Sequence, residues 1–455
     1  MFYIVETQEQ LDRLAVYKDD DCFVHTIMNS DDTHHDMGIP FIVYYRPFTA
    51  DHGYIMPINH TEVGGYVGSN FSRVAGFLRD VTGTAWAIDR ESRSICLYMD
   101  FKYLKIAYTL WNKPFPDLSS YDTPAHDHIN KMAKARDRRS QCNGMIPLSK
   151  QFEKWEMIYD QLDFTLDPPG MSFYQDVVMN SFIELEKHPM LVDNVLLSKH
   201  YPEFHYFDYA KGSVFSGSFA LINSLYNLHN ATARPSCKSS CVNMMALPKS
   251  NGARGIIISP PGYYLAEFDY KSYQIKLLAD LIGYTFDSGN IHEELAKTYF
   301  HTDIITPEQY EEGKKLTFRY SYGRSLEPPD SPFFKEVYAL RDELWAWNAE
   351  HGSITSPISG RCLYGITKLT QVLPHLMQCL ETERNALILQ DIHKHLKGKR
   401  SRIILYQYDS FLFEIHSREG THLIGEIKDI LEKDGYQTTI SFGYNYHEMN
   451  KTIIS

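Results

Sequence analysis

Two apolar runs, each ending on a single acid, constrain this chain most. Tyr263-Tyr-Leu-Ala-Glu-Phe-Asp-Tyr270 follows a Pro-Pro-Gly turn and stops at Asp269, after which helical spacing runs from Gln274 to Gly283. Later, Ser401-Arg-Ile-Ile-Leu-Tyr-Gln407 and Ser410-Phe-Leu-Phe-Glu-Ile415 flank Tyr408-Asp409, the pattern of a β-hairpin with an acid at its tip. Asp269 and Asp409 therefore stand at the ends of strands. Taken singly, each reads as well as a turn residue or a helix N-cap.

At 455 residues the chain is too long for one ordinary core, which predicts two or three domains. Before Lys187, the runs FYIVET, DCFVHTIM, IPFIVYYRPF and YIMPINH predict short strands, and FEKWEMIYDQL and FYQDVVMNSFIELEKH predict helices, an α/β unit. After Lys187 the spacing predicts helix to about Asn230, and again from Ile291 to Phe300.

A net charge of -12 argues against a generally basic, nucleic-acid-coating protein but leaves room for a local basic groove. The basic run between Asp122 and Gln151 reads as a solvated loop or as a contact surface. Seven cysteines, an odd number, and a start without a signal-peptide pattern predict a reduced, cytoplasmic protein. Cys237 and Cys241 lack the second ligand pair of a zinc site. No stretch reaches the roughly 18 apolar residues of a membrane helix.

Paired carboxylates on adjacent strands supply the hard oxygens that two magnesium ions need to clamp the attacking and leaving oxygens of a phosphoryl transfer. Cations for the leaving phosphates should face them from another element. Lys314, Phe318 and Tyr322, spaced i, i+4 and i+8, place an ammonium and two rings on one helical face, suited to a triphosphate and a stacked base. The same spacing also describes an amphipathic core helix with a basic end.

In these segments the chain resembles the polymerase I-like, or family A, DNA polymerases. FDYKSYQIKLLADL is similar to that family's motif A, KKLTFRYSYG to motif B and LYQYDSFLFEI to motif C. Asn290-Ile-His-Glu-Glu-Leu-Ala296, Thr232-Ala-Arg-Pro-Ser236, Asn243-Met-Met-Ala-Leu-Pro248 and Gly360-Arg361 resemble four weaker family blocks, in the family's order. The resemblance implies an α+β chain: a ribonuclease-H-like, exonuclease-type α/β domain over 1–187, then a right-hand polymerase domain over 188–455. Within the latter, the thumb would cover about 188–231, the palm 232–285 and 365–455, and the fingers 286–364.

Carried over residue by residue, Asp269, Asp409 and the Tyr270 carbonyl would bind two Mg2+ ions, with Mn2+ as a substitute. Lys314 and His292 would grip the dNTP phosphates, Phe318 would pack on the deoxyribose, and Tyr322 would close over the nascent pair. Arg234, Asn243 and Arg361 would contact primer-template DNA. A processivity or replisome accessory protein would compensate for the small thumb, and the compact form resembles phage polymerases.

Several positions depart from the family. Tyr310 replaces motif B's arginine, so one phosphate contact is either missing, with weaker nucleotide binding, or comes from Lys315, Arg319 or Arg324. Gln274 replaces motif A's glutamate, which should still block ribose but bond Tyr322 differently. Ser410 replaces motif C's second acid. Phe318 in place of tyrosine implies poor use of dideoxynucleotides. In the N-terminal unit the exonuclease acids are missing: Phe23-Val-His25 stands at the first motif, Leu104 at the second, and Asp176 alone remains for the third, implying no 3′-5′ exonuclease activity. The expectation is a DNA-directed DNA polymerase without proofreading. A single-subunit RNA polymerase or primase-like enzyme, and a catalytically silent replication subunit, are the alternatives.

Overall fold

The computed structural model describes residues 3–28, 40–58, 147–160, 173–202, 218–224, 226–228, 234–237, 242–287, 290–322 and 329–452, with short pieces between 73 and 123 and residue 232. It falls into two compact units, one of residues 1–175 with 238–241, the other of 176–237 with 242–455. Asp176 thus falls in the second unit, while Leu104, Arg324, Cys241 and most of the basic run after Thr123 lie outside the described residues. No helix among the described residues is long and apolar enough to cross a membrane.

In the first unit, α1 (Gln8–Leu14) starts at a Thr7/Gln10 capping box. β1 (Cys22–Met28), β2 (Pro40–Pro47), β3 (Tyr54–Pro57) and β4 (Ala85–Ala87) form a sheet in the order β3-β2-β1-β4, parallel only between β1 and β4. The predicted FYIVET strand is reduced to one bridge, Ile4 with Ile55, because the cap at Thr7 turns the chain into helix. Glu156 of α2 (Leu148–Tyr159) accepts from the Tyr44 hydroxyl and, at 2.7 Å, from the Gly53 N–H.

Early in the second unit comes α3 (Asn180–Glu186), whose Phe182 packs on the rings of Tyr226 and Tyr406. After Lys187 the chain is not the continuous helix that the spacing predicts. Met190–Asp193 is a strand, β5, held between β6 (Phe219–Ile222) and β7 (Ile257–Ile258), with α4 (Asn194–His200) intervening. The apolar run Met-Leu-Val is short, and the Asp193 side chain caps α4 at the Val195 and Leu196 N–H groups, which ends the strand and starts the helix.

The central sheet follows from the two opening runs. β8 (Tyr263–Tyr270) leaves a turn closed by the Tyr263 N–H on the Pro260 carbonyl at 3.0 Å, with Gly262 at φ +84°, a conformation that favours glycine. After β8 come α5 (Tyr273–Ile282), α6 (Ile291–Phe300), α7 (Pro307–Ser321), α8 (Pro332–His351) and α9 (Val372–Leu396). The chain then re-enters the sheet as β9 (Arg402–Gln407) and β10 (Ser410–His416), followed by α10 (Gly420–Glu432), β11 (Thr438–Gly443) and β12 (Asn450–Thr452). Strand order is β9-β10-β8-β11-β12, antiparallel throughout. A second core joins α5, α6, α8 and α9 through Leu278, Leu295, Phe333 and Met377, with Tyr320 and Tyr322 packed against it.

Candidate active site

Sheet register brings the two acids together. Asp269 stands opposite Ser410, and the Tyr270 N–H donates to the Asp409 carbonyl at 2.9 Å. Tyr408, next to Asp409, has φ +62°, and Ser272, at the N-cap of α5 three residues after Asp269, has φ +52°, left-handed values that cost a non-glycine residue on the order of 1–2 kcal/mol. Asn385 of α9 holds the first of these turns, donating to the Tyr408 carbonyl at 2.7 Å and accepting from the Tyr273 hydroxyl at 2.8 Å. The Arg234 guanidinium lies 3.6 Å over the Tyr408 ring.

Asp269 is half-buried, and Asp409 is exposed at its tip yet ringed by protein. That partial desolvation pushes the Asp409 carboxyl upward, against the pull of Arg234 and Lys249. A cation at the turn would favour the ionised form.

Facing the acids across a cleft of about 530 Å³ is the α7 wall, with Tyr310, Lys314, Phe318 and Tyr322 on one face. Thr306 and Gln309 form a capping box before Pro307 at the first helical position, which fixes where α7 begins. Phe318 is 42% exposed although apolar, so its ring is presented to the cleft rather than packed away. Gly313 seats α7 on α6: a Cβ there would stand 2.6 Å from that of Ala296.

From α6, capped by Asn290, His292 reaches the same cleft. Burial and then the Lys314 charge lower its imidazole to about 4. Its buried Nδ1 has no hydrogen-bond partner among the described residues, an arrangement that suits a group arriving from the cleft.

Behind the floor, Glu381 of α9 accepts from Arg234 Nε at 3.1 Å and Nη2 at 3.0 Å, and from Gln274 Nε2 at 2.6 Å. Gln274 Oε1 in turn accepts from the Tyr322 hydroxyl at 2.9 Å. Floor and wall are thereby linked through one buried acid.

The structure thus gathers Asp269, Asp409, Tyr270, Gln274, His292, Lys314, Phe318, Tyr322 and Arg234 around one cleft. Asn243 and Arg361 do not line it: Asn243 precedes a short 3-10 turn, and the Arg361 N–H is tied to Ser359 Oγ. Tyr310, the departure in motif B, lines the cleft itself. Of the cations expected to replace the missing arginine, Lys315 is exposed and pairs with Glu312, and Arg319 is exposed; neither lines the cleft, whereas Lys271 does.

Asp269, Asp409 and Tyr270 offer hard oxygens of the kind magnesium takes. Among the described residues no group of three or more His, Cys, Asp and Glu side chains is placed to hold a metal. The donor set is therefore two carboxylates, with room for main-chain and substrate oxygens.

No protein-family model matches the chain, and no curated protein does. Among solved structures it is similar to the POL domain of Pol1 from M. smegmatis in complex with DNA primer-template and dNTP. The TM-score is 0.63 at 13% identity, over 98% of this chain and 100% of that one. The likeness is one of fold.

Two residues of the site escape sequence reasoning altogether, Glu381 and Asn385. Both lie on the buried side of α9. The available signal was a polar stretch, Glu381-Thr-Glu-Arg-Asn385, set between the apolar residues Leu376-Met377 and Ala386-Leu-Ile-Leu389.

Proposed function

We propose that the chain is a template-directed DNA polymerase, adding dNTPs to a primer 3′ end by two-metal phosphoryl transfer and lacking proofreading activity. The observation that carries this reading is the opposition of Asp269 and Asp409 to Lys314, His292, Phe318 and Tyr322 across one cleft, in a fold like that of a polymerase domain.

The two ions, magnesium or manganese, would supply charge stabilisation at the attacking and leaving oxygens. The chain's own groups do the rest. Lys314 and His292 meet the β- and γ-phosphates, and the open face of Phe318 receives the sugar. Tyr322, tethered to Gln274, limits the space beside that sugar, and Arg234 faces the primer terminus. As the primer 3′-oxygen bonds to the α-phosphorus, the bond to the pyrophosphate oxygen breaks, the hydroxyl proton passes to solvent and pyrophosphate leaves.

In this reading the sheet of β8 to β12 is the palm, α6 to α8 belong to the fingers, and the first unit is an exonuclease-like domain without catalytic acids. The protein is of compact phage type, acts in the cytoplasm and draws on an accessory protein for grip on the duplex. Primer extension tests it: with magnesium, dNTPs should be incorporated, rNTPs poorly, and nothing by Asp409→Ala. Extension with rNTPs as readily as with dNTPs would instead indicate an RNA-synthesising enzyme, and none by the wild type a silent subunit.

A further inference from the structure

Glu381 is fully buried, and among the described residues the groups hydrogen-bonded to its oxygens are all donors: two guanidinium nitrogens of Arg234 and the amide nitrogen of Gln274. An ionised carboxylate only accepts. Gln274 must therefore turn its NH2 toward Glu381 and its oxygen the other way, where the Tyr322 hydroxyl donates to it. With an apolar residue at 381, either end of the amide could face Tyr322. One acid thus chooses the orientation of a side chain in the cleft and, through it, the position of the tyrosine that caps the end of α7.

We infer that Glu381 is a positioning residue for sugar selection: it locks Gln274 and Tyr322 into a single barrier beside the sugar of the incoming nucleotide. The inference rests on the polymerase reading. The same carboxylate also serves as counter-ion to Arg234, whose guanidinium lies over Tyr408 next to Asp409, so the barrier and the acid-bearing turn share one anchor. Burial pushes the Glu381 carboxyl up to about 7 against the pull of Arg234 and Gln274. The ionised, accepting form is the one the geometry fits: three nitrogens donate to its oxygens, and none of these partners offers an acceptor to a carboxyl proton.

The charge can be transposed to test this. Gln274→Glu sets two carboxylates face to face. Glu381→Gln removes the group that fixes the amide. In the double variant Gln274→Glu/Glu381→Gln every partner is restored: the residue 274 carboxylate accepts from Tyr322 and from the new amide, whose oxygen accepts from Arg234.

For single-turnover incorporation of dNTP and rNTP, Gln274→Glu should lower kcat/KM for dNTP at least about tenfold, and the double variant should recover to within about threefold of wild type. Glu381→Gln should raise rNTP use about tenfold, mainly through a lower KM for rNTP. In an enzyme that extends primers, an unchanged dNTP/rNTP ratio in Glu381→Gln, or a double variant no better than Gln274→Glu, overturns the inference. If the wild type extends nothing, the polymerase reading fails separately, and the melting temperatures of the four proteins decide the pairing. A double variant more stable than the sum of the single effects supports it, and plain additivity overturns it.

Discussion

The floor and the wall of the cleft are built on opposite principles. On the floor, Asp269 is fixed in β8 between two paired strands, and Asp409 follows a strained turn pinned by buried partners: Asn385 at Tyr408, Arg234 over its ring, Glu381 behind Arg234. On the wall, α7 offers a half-exposed lysine, an open phenylalanine ring and a tyrosine at the helix end; the helix is seated behind them by its capping box, the close Gly313–Ala296 approach, a hydrogen bond between Tyr299 and Thr317 and the Tyr322 bond to Gln274. A floor fixed to fractions of an ångström suits reacting atoms, whose misplacement is costly. A wall whose substrate-facing side chains stay open suits substrates that must enter and leave.

The sharpest way to break this contrast is to remove one member from each side. Asp269→Ala should reduce primer extension on the order of 10³-fold or more while leaving nucleotide binding measurable, because it removes an interaction needed at the reacting atoms. Lys314→Ala should cost about 10²-fold, divided between KM and kcat, because its ammonium meets phosphates both before and during the reaction. If Lys314→Ala proves the more damaging under saturating dNTP, the division between floor and wall is wrong.

Next in size is the support of the floor. Asn385→Ala strands the Tyr408 carbonyl and the Tyr273 hydroxyl in a buried setting. Stability should fall by about 1–3 kcal/mol, read from chemical denaturation. With the Tyr408-Asp409 turn less constrained, kcat should fall about tenfold at little change in KM.

These supports also mark what the sequence could and could not tell. The acid-bearing strands were legible because short β-branched and aromatic runs bounded by turn residues have few other uses, and β8, β9 and β10 form where those runs lie. The face of α7 was legible from its four-residue spacing. Glu381 was not, since the polar stretch around it reads equally well as a solvated face of the helix. Its partner Arg234 is 147 positions away in the chain, and only folding reveals the pair. The stretch after Lys187 misled for a related reason: β5 is too short to show a period, and the strands that cover it come from Phe219–Ile222 and Ile257–Ile258.

On the wall the seat of α7 can be loosened without touching a cleft residue. Gly313→Ala would gain roughly 0.5–1 kcal/mol of helix propensity. It must also drive a methyl group into Ala296, and such overpacking costs about 1–3 kcal/mol. The net expectation is a modest loss of stability with a dNTP KM raised about threefold and kcat nearly unchanged. A fall in kcat without change in KM would show that the wall is as tightly coupled to the chemistry as the floor.

The smallest effect is the most specific to pH. His292 is held neutral, its imidazole lowered to about 4 by burial and then by Lys314. In the unfolded chain it would take up a proton below about 6.5. The stability contributed by the neutral ring is therefore complete above that pH and is lost as pH falls toward 4. His292→Gln should flatten this part of the acid-denaturation profile and leave stability near pH 7.5 almost unchanged. Nucleotide acts in the opposite sense, since phosphate charge beside the ring favours its protonated form. Affinity for dNTP in the wild type should then rise modestly as pH is lowered from 7.5 to 6, with proton uptake seen as a buffer-dependent heat of binding. His292→Gln should abolish that uptake. Uptake that persists in the variant would move the proton to another group in the cleft and leave His292 as a neutral part of the wall.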